Sequence, residues 1–261
     1  MQWKRIWKSK GFYIACALQV FCYLYAHMDA GTFWHSPIEY FGSADILYFY
    51  LMPRSFGLCG FLLPMVAALP AAGQISEDCQ SGFLRYVIHR VGRIHYIRIR
   101  MAQSFVAGFL ASLAGSLIYL IAIMILCPWN DCILESWRYV LAQGAFRVLA
   151  EKAYGFPLIA DGICRLAFAA GVWGLFAFGI MCLTERENAG AALTFLIYDA
   201  LSAVLGSNEI TGEWAPAEIA VPWIDYSGSL ADPGIRQLIY LAAALIFCGA
   251  AARFFIKRQE G

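Results

Sequence analysis

Charge is scarce in this sequence. Asp, Glu, Lys and Arg together make up 14% of its 261 residues, against about a quarter in an ordinary soluble domain, so a water-soluble globular fold is excluded. The spacings that carry chemistry are absent as well. The sequence has no G-x-x-x-x-G-K-[ST] loop to cradle nucleotide phosphates, no G-x-S-x-G turn to present a nucleophilic serine, and no C-x-x-C or H-E-x-x-H pair for zinc. His89 and His95 stand six apart, off the i, i+4 spacing that puts two imidazoles on one helix face. Metal binding is therefore not expected. Tyr226-Ser227-Gly228-Ser229 reads as turn chemistry, and Thr184-Glu185-Arg186-Glu187 as a solvated turn between spans. If ATP drives this protein, another chain binds it.

The nine cysteines do not form a secreted scaffold. Cys16, Cys22, Cys59, Cys182 and Cys248 fall within apolar runs and read as small core residues. Cys127, Cys132 and Cys164 lie near one face of the membrane, which leaves a disulfide among them open. The net charge of +1 gives no reason to expect a nucleic-acid partner.

Apolar residues are abundant: 61% of the chain is hydrophobic and the mean hydropathy is +0.62. A helix rises about 1.5 Å per residue, so crossing a hydrocarbon core of about 30 Å takes roughly 20 residues. That yardstick predicts an all-α polytopic membrane protein with six spans, at 11–28, 56–75, 99–127, 163–183, 189–205 and 235–255. With no internal repeat and no low-complexity linker, residues 1–261 read as one transmembrane domain. Residues 1–10 carry Trp3, Ile6 and Trp7 among Lys4, Arg5, Lys8 and Lys10, the pattern of a short helix lying in the headgroup region.

Sidedness follows from the distribution of cations. Thirteen of the nineteen Lys and Arg fall at the termini, between spans two and three, and at Arg186; six fall in the other connections. Both termini are therefore expected in the cytoplasm. Twelve acids lie in the outer connections. Of these connections, 128–162 contains an amphipathic pattern around Trp137 and Leu141, and 206–234 is rich in Gly, Pro, Ser and Asp, as in a membrane-near or re-entrant loop. Ala107, Ala111, Gly115, Gly171, Gly174 and Gly179 are small enough to let spans three and four pack closely. Asp199 is the one acid well inside a predicted span, a candidate intramembrane polar site.

The interval from Gly73 to Arg100 holds the densest charge. Ser76 is a plausible N-cap, and Glu77 and Asp78 favour the first turn of a helix. Phe83, Leu84, Val87, Ile88 and Val91 then recur at helical spacing. Gly92 allows a turn before span three. The run Ser76-Glu77-Asp78-Cys79-Gln80-Ser81-Gly82-Phe83-Leu84-Arg85, followed by His89-Arg90-Val91-Gly92-Arg93, resembles membrane subunits of type 2 ABC exporters. Phe83 stands where that family commonly has threonine.

The resemblance implies that residues 76–93 form a cytoplasmic coupling helix docked on an ATPase subunit. Glu77, Asp78, Gly82, Arg85, Arg90 and Arg93 would be the coupling residues. It further implies a permease subunit in the cell membrane, pairing with a second copy or a similar permease. Two ATPase subunits would carry the ATP and Mg, and this chain would need no cofactor of its own and would not be an enzyme. A membrane-embedded enzyme and a channel or assembly subunit without ATP coupling are the alternative classes. The cargo is not legible.

Overall fold

A computed structural model describes residues 6, 9–28, 50, 58–70, 90, 92–127, 155–184, 187–208, 211–220 and 232–258. Among the described residues every regular element is helical and no strand occurs. In chain order the helices are α1 (Lys10–Met28), α2 (Leu58–Pro70, with a turn at Leu62), α3 (Arg93–Leu126), α4 (Gly155–Thr184) and α5 (Glu187–Gly206). A 3₁₀ turn (Gly212–Trp214), the short α6 (Pro216–Ala220) and α7 (Asp232–Arg258) follow.

Five of these, α1, α3, α4, α5 and α7, are long and apolar enough to cross a membrane. This is a multi-pass helical membrane protein. The predicted second span, 56–75, is described only as α2, an apolar helix covering about 20 Å at the usual rise. Among the described residues, five helices are long enough to span, and the rest of the predicted 56–75 span lies outside them.

Two boundaries differ from expectation, each for a local reason. α3 begins at Arg93, not 99, because Gly92 adopts φ 85°, a left-handed conformation that halts the helix before it. Arg98 and Arg100 consequently lie inside the first turns of α3. α4 begins at Gly155, not 163, and so takes in residues assigned to the preceding connection. Its charges at that end satisfy each other: Arg165 Nε donates to Asp161 Oδ2 at 2.6 Å across one helical turn.

α4 is the axis of the bundle. Its apolar window is 83% buried, against 44% for α1 and 17% for α5. It packs most extensively on α3, then on α7 and α5, while α1 lies on α3 and against α2. The α3–α4 contact depends on glycine. A Cβ on Gly108 would fall 2.6 Å from the Ala170 carbonyl oxygen, and one on Gly174 would fall 2.7 Å from that of Ser104. Backbones approach this closely in membranes because lipid offers no hydrophobic drive, leaving van der Waals packing to hold helices together. Ala107 and Ala111 are fully buried, Gly115 meets Gln19, Gly171 meets Phe105 and Gly179 meets Phe247.

The segment 211–220 is folded into the bundle rather than lying over it. Ala215, Pro216, Ile219 and Ala220 are buried, and α6 packs on α2, α4, α5 and α7. Its backbone carbonyls are held by side chains from α7. Gln237 Nε2 donates to Ile219 O and to Arg165 O, both at 3.1 Å, and Tyr240 Oη donates to Trp214 O at 2.7 Å. Side-chain donors from α7 thus satisfy irregular backbone that packs within the bundle.

Candidate functional site

Of the predicted coupling residues, Glu77, Asp78, Gly82 and Arg85 lie outside the described residues, as does most of the interfacial N-terminal helix and of the 128–162 connection. Arg90 is helical and exposed, and Arg93 opens α3. Arg100, two turns further on, is buried to 2% exposure. Its Nη1 donates to Gln103 Oε1 at 3.0 Å, and its guanidinium lies 5.4 Å from the Tyr96 ring centroid. A hydrogen-bond acceptor and an aromatic face together make a buried cation tolerable.

Among the described residues, a group of polar side chains within the spans lies between α1 and α3, where α1 carries Gln19, Tyr23 and His27 at intervals of four. They share one face of the helix, and all three are buried. α3 answers with Ser112, Ser116 and Tyr119. His27 Nε2 and Tyr119 Oη are 2.6 Å apart, Tyr23 Oη is 3.2 Å from Ser116 Oγ, and Tyr50 Oη lies 3.3 Å from Tyr23 Oη. The Tyr23 and Tyr119 rings stack at 4.5 Å. Closer to the start of α1, Cys16 Sγ donates to Ala111 O at 3.6 Å.

Polar side chains in lipid interiors are expensive and mark functional or closely fitted contacts. This seam was not recognised from the sequence. Its signal was there, since three polar side chains at i, i+4, i+8 within an apolar run define a polar face.

Asp199 occupies a second, separate location on α5 and is half-buried. The adjacent Tyr198 is fully buried and donates to Gly60 O of α2 at 2.5 Å. Glu218 of α6 and Asp199 both lie within electrostatic reach of the Tyr198 hydroxyl. Glu218 keeps a solvent-facing side, yet the protein packed around it pushes its carboxyl above the usual range. Nearby, a small, partly open pocket is lined by Trp173, Ile219, Gln237 and Tyr240 among others. Among the described residues no three His, Cys, Asp or Glu side chains group as a metal ion would require.

The fold and these sites define the class, a helical multi-pass membrane protein with a polar seam between two spans. No protein-family model, curated protein or solved structure matches the chain.

Proposed function

We propose that this chain is the permease subunit of an ATP-driven exporter of the ABC-2 type. The observation that supports the reading best is the acid-to-glycine run Asp78 to Gly82, with its basic helix and Arg90 and Arg93. It sits between α2 and α3 in a chain of apolar helices with no nucleotide-binding loop of its own. In this reading the chain resides in the cell membrane with both termini cytoplasmic, as the cation asymmetry requires. It has six spans, with residues 76–93 as the coupling helix. It pairs with a second permease copy or a similar permease, and two ATPase subunits carry the ATP and Mg.

Closure of the ATPases would push residues 76–93 and thereby bias the α2–α3 unit between two arrangements, the differential contact that any driven switch needs. α3 would transmit the push because its close glycine contacts with α4 leave little compliance between them.

The test is co-purification of the ATPase with this chain and substrate-stimulated ATP hydrolysis in reconstituted membranes. Charge reversal at Asp78 or Arg85 should weaken capture, because a docking charge that loses its partner costs a few kcal/mol. Gly82→Val should obstruct docking by bulk alone. If all three variants retain full capture and full stimulation, the coupling assignment is wrong.

A further inference from the structure

The α1–α3 seam contains polar atoms that the protein itself does not satisfy. Gln19 has no measurable exposure, yet neither its Nε2 nor its Oε1 has a hydrogen-bond partner, and the same is true of the Ser112 hydroxyl. An orphaned buried amide or hydroxyl costs about 1–3 kcal/mol, and in a span no lipid group can relieve it. Both lie on the same stretch of the joint. Cys16 bonds to Ala111 O, a Cβ on Gly115 would touch Gln19 Cβ at 2.6 Å, and Tyr23 bonds to Ser116. Gln19 is therefore held on the α3 turns between Ala111 and Ser116, and Ser112 belongs to those turns.

Some polar side chains buried in the bundle find partners in protein, although Gln103 Nε2 and Ser202 Oγ do not. Thr194 Oγ1 donates to Gly190 O, and Gln237 bridges two carbonyls. A primary amide offers two donors and an acceptor, and a hydroxyl offers one donor and two lone pairs. That donor set matches internal water, which typically takes two to four polar partners and fills sites that are otherwise unsatisfied.

We propose that the Gln19 amide and the Ser112 hydroxyl form an internal water site in the α1–α3 joint, contiguous with the Tyr23–Ser116 and His27–Tyr119 pairs. The joint is then a wet seam within the bundle. It is the interface at which α1 can shift along α3 without stranding polar groups, because bound water can re-pair with either helix. This inference does not depend on the exporter reading.

The test is hydroxyl-radical footprinting by X-ray radiolysis of the full chain in phosphatidylcholine vesicles, which marks side chains beside bound water whether or not bulk solvent reaches them. Tyr198, equally buried but bonded to Gly60 O, is the dry reference. Tyr23 should be modified several-fold faster than Tyr198, and Gln19→Leu should bring Tyr23 down to the Tyr198 rate. Ser112→Ala adds no bulk and should lower the Tyr23 rate in the same direction, so the test holds even if Gln19→Leu folds poorly. A Tyr23 rate equal to that of Tyr198 in the unaltered chain, or one untouched by Ser112→Ala, would overturn the proposal.

Discussion

His27 and Tyr119 join α1 to α3 through a 2.6 Å contact between the imidazole Nε2 and the phenol oxygen, with their rings only 16° from parallel. Replacing Tyr119 with Phe keeps the ring and its stack on Tyr23 but deprives a fully buried imidazole nitrogen of this partner. The expected loss is about 1–3 kcal/mol of stability, the cost of leaving such a group unsatisfied. In the double variant with His27→Phe, the two losses should fall well short of additive, as for residues in direct contact. Thermal unfolding in detergent followed by tryptophan fluorescence reads both. Additive losses would mean that the hydrogen bond contributes nothing.

The second prediction separates glycines that lie at close contacts from those that do not. Gly108→Val would drive a side chain into the Ala170 carbonyl, and Gly174→Val into that of Ser104, whereas nothing lies within 4 Å of a Cβ on Gly249. Overpacking of this kind costs about 1–3 kcal/mol or more. Gly249→Ala should be neutral or slightly stabilising, since alanine favours helix over glycine by up to about 1 kcal/mol. Yield of monodisperse protein and melting temperature rank the three. Equal behaviour at all three positions would contradict the close α3–α4 contact.

The helical class and the placement of five spans were legible because apolar run length alone sets them, and the small residues of spans three and four were legible as contact positions. The early starts of α3 and α4 were not. Charged residues there suggested solvated connections, but Arg165 pairs with Asp161 one turn away, and Arg100 is held by the Gln103 side-chain oxygen and the Tyr96 ring. Local pairing lets a helix run on through charges that a hydropathy count treats as its end. The polar seam was missed for a related reason. Gln19, Tyr23 and His27 are each unremarkable in an apolar run, and only their shared spacing shows that they face a partner. Asp199 drew attention for its charge, whereas the hydroxyl beside it, on Tyr198, makes the contact to α2.

Glu218 gives a pH-dependent prediction. Its carboxyl lies above the usual range because burial disfavours the ionised form. A raised carboxylate pKa in the folded state means that the unfolded chain ionises first as pH rises. The group's contribution to stability is therefore intact below the ordinary carboxylate range and is lost as pH rises through the folded-state value. Glu218→Gln removes that loss. Its melting temperature should exceed that of the unaltered chain at neutral pH and converge with it in acid. A gap of the same size at both pH values would show that ionisation is not its cause.

Asp199 leads to a prediction about where water reaches. α5 is the least buried of the five spanning helices, and Ile197, two residues before Asp199, is 41% exposed. Two residues correspond to about 3 Å of depth and about 200° around the helix. The two side chains thus lie at nearly the same depth on opposite faces. A carboxylate facing lipid there would be costly, so its face should meet water or a partner subunit. Ser202, three residues on, shares that face and has a buried hydroxyl without a hydrogen-bond partner. In a chain whose native cysteines have been replaced, Asp199→Cys should react with a membrane-impermeant maleimide and Ile197→Cys should not, because maleimides require the thiolate that water permits. A subunit interface without water would protect both positions, and competition by a second, unlabelled copy at Asp199→Cys would reveal it. If Ile197→Cys reacts and Asp199→Cys does not, α5 turns its polar face away from water, and Asp199 has no role in a path across the membrane.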